Sequence, residues 1–126
     1  MAYEYPIEAS AMFEDRAVQM ANFGVSRMDI DGLRRSIKDM WANAPGGWVY
    51  EWSKLGARYA AENQPYVPSV VYGWAKFPWL ADEAKREALA HQIDQYIKAS
   101  GTFDVRFERR VLTFLMLEKL LTLRCT

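Results

Sequence analysis

Hydrophobic and polar positions along the chain fall first into helical repeats and only near the end into alternation. Phe13, Ala17, Met20 and Ala21 recur at helical steps, which predicts a helix from a cap at Ser10 to about Asn22, ended by Phe23-Gly24. Leu33, Ile37, Met40, Trp41 and Ala44 form the clearest amphipathic stripe, with Arg34, Arg35, Lys38 and Asp39 on its wet side and Asp29 or Asp31 as the expected cap. Pro45-Gly46-Gly47 then breaks the chain. In the central stretch that follows, Trp48, Trp52, Leu55, Gly56, Tyr59 and Ala60 share one helical face. After Asn63-Gln64-Pro65 a second stripe runs through Val67, Val70, Val71, Trp74 and Ala75, and so short a break predicts an antiparallel helix pair. Phe77-Pro78 closes that pair. Asp82 caps a charge-rich helix from Glu83 to about Ala99, with an apolar line at Leu89, Ile93, Tyr96 and Ile97 and a stop at Gly101.

From Thr102 the period changes. Phe103, Val105, Phe107 and Val111 lie on one side and Asp104, Arg106, Glu108 and Arg110 on the other, which reads as a single strand. A lone strand leaves its backbone unpaired, so it must join a second copy of the chain, lie on the helices, or belong to a sheet outside this chain. Residues 1–9 read as an arm interrupted by Pro6. The predicted fold class is therefore all-α: a bundle of about five helices with an extended, strand-like C-terminal segment.

A chain of 126 residues, 51% hydrophobic and 25% charged, has room for one domain with one core and is not compositionally disordered. Sixteen basic against sixteen acidic residues give no overall charge, so neither nucleic acid nor an anionic membrane is an expected partner. The single cysteine, Cys125, builds neither an internal disulfide nor a structural zinc site, and a reducing cytoplasm is the expected location. No leader peptide or membrane-spanning run is read.

Candidate chemistry is sparse. There is no Gly-x-Ser-x-Gly elbow, and the only histidine, His91, sits mid-helix where it reads as a solvated or packing side chain. Asp29-Ile30-Asp31-Gly32 lacks the later ligands of a calcium loop, and no metal or cofactor is expected. The concentration of aromatic residues between Trp48 and Trp79 is the informative feature. Trp52, Tyr59 and Trp74 lie on the inner stripes, whereas Trp48, Tyr50, Tyr72 and Trp79 fit those stripes less well and are candidates to line a hydrophobic pocket or an interface.

Two resemblances follow from these residues. Trp52-x-x-Leu55-Gly56-x-x-Tyr59 resembles the first helix of a tetratricopeptide repeat, with Tyr72, Ala75 and Pro78 near later landmarks, though no second copy occurs one repeat away. A longer resemblance combines Phe23-Gly24-Val25, the run around Trp41, Gly47-Trp48-x-x-x-Trp52, Tyr72-x-x-Ala75-x-Phe77-Pro78, the helix ending at Tyr96, and Phe107-Glu108-Arg109. Together these resemble the N-terminal helical cap of α/β-hydrolases similar to fermentation/respiration-switch esterases, dihydropseudooxynicotine hydrolase and fungal polyketide-shortening hydrolases. Val71 departs from that pattern, since the family often has a second tyrosine there.

The hydrolase resemblance implies a cap over residues 1–101, the first strand of a catalytic core over 102–114, and a non-family tail over 115–126. It implies Trp48, Tyr72, Lys76 and Trp79 as substrate-binding residues, a small-molecule substrate only in the full-length relative, and no catalytic residue in this chain. Self-association through an exposed apolar face is expected, giving a homo-oligomer. Codons permitted for Leu112 to Thr126, with one cytosine added just after that of Phe114, encode Leu-Thr-Phe-Pro-Tyr-Ala-Gly-Glu-Thr-Val-Asp-Val-Ala-Val-His, the strand, turn and strand expected of a hydrolase core. The rival expectation is a self-sufficient, tetratricopeptide-like interaction module that binds a peptide and cleaves no ester.

Overall fold

Two glycines with left-handed backbones divide the N-terminal half of the fold. In the computed structural model, residues 6–62 and 66–111 are described, together with the backbone of residues 116–117 and 120–121. The first helix, α1 (Ala9–Asn22), ends at Gly24, whose φ of +102° lets Gly24 N–H reach the Ala21 carbonyl at 3.2 Å and Val25 N–H reach that of Met20 at 3.1 Å. This pair of bonds satisfies the last carbonyls of the helix and tucks Val25 against its final turn. Helix α1 starts one residue before the expected cap, and Ser10 instead donates to the Glu8 carboxylate at 2.7 Å.

The second helix departs further from the sequence reading. Helix α2 (Arg27–Ser36) is capped by Ser26, whose hydroxyl accepts from Asp29 N–H at 3.2 Å and donates to the Asp29 carboxylate at 2.8 Å, so Asp29 lies in the first turn and neither it nor Asp31 is the cap. The helix also stops eight residues before Ala44. Its continuation loses to a loop organised by Gly46, at φ +92°, whose carbonyl accepts from Lys38 N–H at 2.7 Å and Asp39 N–H at 3.2 Å. The Asp39 carboxylate holds the turn from inside, accepting from Ala42 N–H at 2.6 Å and Trp41 N–H at 3.2 Å. Ile37 and Met40 are buried all the same, but from this loop rather than from a helix.

Helices α3 (Trp48–Ala61), α4 (Tyr66–Ala75) and α5 (Glu83–Ala99) form the body, with α4 packed between α3 and α5. The all-α fold class predicted from the sequence is the one observed, with five α-helices among the described residues. Pro68 is tolerated because it falls in the first turn of α4, where its missing N–H has no helical partner to lose. The core is aromatic: Phe13 meets Trp48 and Trp52 with ring centroids 6.2 and 5.9 Å apart, and Trp52 stacks on Trp74 at 6.0 Å. No helix among the described residues is long and apolar enough to cross a membrane.

Helix α5 buries a different face from the one its large apolar residues define. Lys85, Ala88, Gln95 and Ala99 are the buried positions, while Tyr96 and Ile97 are 40% and 39% exposed. Small side chains let α5 approach α4 closely, and a Cβ at Gly73 would come within 2.9 Å of the Gln92 amide nitrogen. The expected strand is also not formed over residues 103–111: after a 3-10 turn, Ser100–Thr102, the chain leaves α5 without ladder hydrogen bonds. Phe103 and Phe107 do face the same way, packing edge-on against Tyr96 at 5.5 and 5.3 Å. Residues 112–114 of that prediction lie outside the described residues, and further on Met116–Leu117 pairs antiparallel with Leu120–Leu121.

Candidate functional site

The residues singled out in the sequence as a substrate-facing set are distributed over three environments. Trp48 is fully buried; its indole N–H donates to the Trp74 carbonyl at 2.7 Å, tying the start of α3 to the end of α4. It belongs to the core. Trp79, 39% exposed, lies beside Trp41 with ring centroids 5.4 Å apart, near the loop that follows α2. The Lys76 ammonium donates to the Gln92 side-chain oxygen at 2.6 Å, bridging α4 and α5. Tyr72 opens on a groove among the described residues.

That groove has a volume of about 420 Å³ and lies between α3, α4 and α5. Helix α3 contributes Tyr50, Ser53, Lys54 and Ala57, and α5 contributes Ala84, Glu87, Ala88 and His91. Both sets repeat at i, i+3, i+4 and i+7, so each is one helical face turned toward the other across α4. On α3 this face lies opposite the Trp52, Leu55 and Tyr59 core stripe, which is why a single helix serves core and groove together. Sequence reasoning picked out Tyr50 and Tyr72 as pocket candidates but missed His91, Lys54 and Glu87; the matching seven-residue patterns on α3 and α5 are the signal that would have paired them.

Tyr72 forms the groove's aromatic wall. Its ring stacks on His91, with centroids 4.9 Å apart and planes 24° from parallel, and its outer edge abuts Gly56, where a Cβ would lie 2.9 Å from the ring. Glycine at position 56 is therefore what allows the ring to lie flat between α3 and α5. Burial pushes the Tyr72 phenol above its ordinary pKa, so the group is a neutral O–H donor across the physiological range. No hydrogen bond joins that hydroxyl to a described residue, and none joins His91 to Ser53 or Glu87. A ligand carbonyl or hydroxyl could accept a hydrogen bond from the phenol, with Tyr50 and the alanines supplying apolar contact and Lys54, Glu87 and His91 the polar rim. The Lys54 ammonium is already 3.4 Å from the Glu51 carboxylate.

A second polar centre pins α2 to α3. Asp29 accepts from Ser26, from Arg58 and from the Tyr59 hydroxyl, and Tyr59 in turn accepts from Ser26 N–H at 3.2 Å. Burial pushes the Asp29 carboxyl upward, but the hydrogen bonds from Arg58, Tyr59 and Ser26 and the Arg58 charge outweigh it and hold its pKa below the ordinary carboxylate value. All of these partners are used within the protein, so the cluster is a tether between helices. Among the described residues no group of three or more histidine, cysteine, aspartate or glutamate side chains is placed to hold a metal ion.

No protein-family model matches the chain, and no curated protein matches it significantly.

Proposed function

We propose that this chain acts as the helical cap of a serine α/β-hydrolase, walling the substrate pocket of a cytoplasmic enzyme whose nucleophile, acid and histidine are supplied by a separate core. The observation that carries the reading is the groove between α3 and α5, in which the neutral hydroxyl of the buried Tyr72 has no protein partner among the described residues. A cap of this kind excludes water and orients a small substrate while the core supplies the chemistry. The groove's mix of aromatic wall and polar rim suits an uncharged carbonyl compound. Tyr72 is the residue expected to touch it.

The DNA on either side of the Phe114 codon tests the reading directly. A neighbouring frame that encodes a strand, a turn and then a Gly-x-Ser-x-Gly elbow supports it; a frame that stops naturally with no core sequence nearby refutes it. A p-nitrophenyl ester assay supplies the second test. The cap reading expects no turnover by the chain itself, and turnover abolished by Ser53→Ala would place an active site within the groove instead.

A second reading, a tetratricopeptide-like module that binds a peptide, is favoured by one contact. Gly56 on α3 receives the Tyr72 ring of α4, so the small residue of the repeat-like signature is used for close helix packing as such a hairpin requires. Peptide binding without ester cleavage, competed by filling the groove, would favour this second reading.

A further inference from the structure

Residues 103–111 carry an arrangement of charge that is complementary to itself. Arg106 and Arg110 both pair with Glu108, at 4.0 and 3.0 Å, so alternate residues 106, 108 and 110 point to one side of the segment. Phe103 and Phe107 turn to the other side, onto Tyr96 of α5. Residues 106–110 therefore alternate as in a strand, while the backbone bends at Asp104 and Val105 and the aromatic pair rests on the bundle. No described residue forms a hydrogen bond to the backbone of residues 104–109, and Val105 and Val111 are 74% and 77% exposed. A solvent-exposed run with a strand's alternating pattern is a template for pairing with another strand.

We propose that this segment straightens at Asp104 and Val105 and pairs antiparallel with the same segment of a second copy, about a two-fold axis through Phe107. In that register every directly opposed pair has residue numbers that sum to the same value. Arg106 then faces Glu108 of the partner, Glu108 faces Arg106, Asp104 faces Arg110 and Arg110 faces Asp104, so the charged side carries four opposite-sign contacts in a row. On the other side Phe107 meets Phe107 and Phe103 meets Val111, continuing the apolar surface begun by Tyr96 and Ile97. The remaining opposed pair is Val105 with Arg109, whose aliphatic stem can cover the valine. Moving the register by two residues in one direction, to an axis through Val105, sets Asp104 against Arg106 but brings Phe103 onto Phe107 and sets Glu108 and Arg110 opposite the uncharged Thr102 and Ser100. The register centred on Phe107 is thus the one that uses all four charged positions, and an isologous contact of this kind closes at two copies. The proposal stands independently of the cap reading, since it uses only the segment's own pattern and surroundings.

Charge reversal across the two-fold axis tests it. Light scattering during size-exclusion chromatography of the wild-type chain is expected to give twice the chain mass. Arg106→Glu sets glutamate against Glu108 at both symmetric contacts, and Glu108→Arg sets arginine against Arg106; each raises the dimer Kd by about tenfold or more. Mixing the two variants places glutamates at 106 and 108 of one copy opposite arginines at 108 and 106 of the other, so a heterodimer forms where neither variant pairs alone. Both positions are exposed, and unchanged helical circular dichroism confirms that the fold is kept. A wild-type chain that stays at the single-chain mass up to its solubility limit overturns the proposal. So do single variants that dimerise like wild type, or a mixture that pairs no better than its components; a wild-type dimer insensitive to these reversals would assign the association to another face.

Discussion

Replacing Gly56 by alanine separates two opposed effects whose sizes the structure sets. Glycine in a helix interior is about 1 kcal/mol worse than alanine, so the substitution stabilises α3 wherever there is room for a methyl group. At position 56 there is none, because the added Cβ would lie 2.9 Å from Cε2 and Cζ of Tyr72 and 3.1 Å from Cε1. Carbon atoms prefer separations of about 3.5 Å or more, so the ring must move by several tenths of an ångström. Tyr72 is 5% exposed and held from behind by His91, which makes that movement an overpacking cost of about 1–3 kcal/mol. The net expectation is a loss of about 1 kcal/mol. Gly32→Ala is the matched control: Gly32 lies within α2 and its new Cβ would meet nothing within 4 Å, so that variant gains about 1 kcal/mol. Urea unfolding followed by tryptophan fluorescence should move the two midpoints in opposite directions, each by about 0.5 M. In the Tyr72→Leu background the obstacle is gone and Gly56→Ala becomes neutral or stabilising. A Gly56→Ala variant as stable as Gly32→Ala, or one whose cost survives in the Tyr72→Leu background, would refute the reasoning.

Three further outcomes follow from the same structure. Gly47→Ala should be severely destabilising, by about 3 kcal/mol or more in thermal unfolding, because its Cβ would fall 1.8 Å from the Ala42 carbonyl oxygen and force the loop before α3 open. Lys85→Ala should lower stability by about 3 kcal/mol, since the fully buried ammonium donates to the Met40 carbonyl at 3.3 Å and the Asp82 carboxylate at 3.2 Å; Lys85→Met, which keeps the stem's packing, should cost less in the same measurement. Asp29 has a lowered pKa in the folded state, so its contribution to stability is complete above the unfolded carboxyl value of about 3.9 and is lost as pH falls through the folded value. Urea midpoints measured between pH 7 and pH 3 should therefore drop at the acid end, and the drop should shrink in Asp29→Asn.

Periodicity alone located α1, α3, α4 and α5, because each carries apolar residues at helical spacing between breakers such as Phe23-Gly24, Pro45-Gly46-Gly47 and Gly101. It also recognised Trp52, Tyr59 and Trp74 as core, for the reason that a wide aromatic stripe has nowhere to go but inward. It failed at Ile37 and Met40, where helical spacing was coincidental: Gly46 and Asp39 supply the backbone of residues 38–42 with better partners than another turn of helix would. It failed again on α5, since Leu89, Ile93, Tyr96 and Ile97 are the greasier face but Ala88 and Ala99 are the face that lets two helix backbones approach.

The candidate site shows the same division. Hydrophobic pattern and turn chemistry are local properties, and they determined that this chain would be a small all-α bundle with an aromatic centre and a strand-patterned segment beyond Gly101. Whether Trp48 faces a ligand or the core depends on where Trp74 offers a carbonyl 26 positions away, and the meeting of Tyr72 with His91 depends on how far Gly56 and Gly73 let three helices close. Those are relations between elements, set by packing distance and by the demand that buried polar groups be satisfied, and only the tertiary structure decides them.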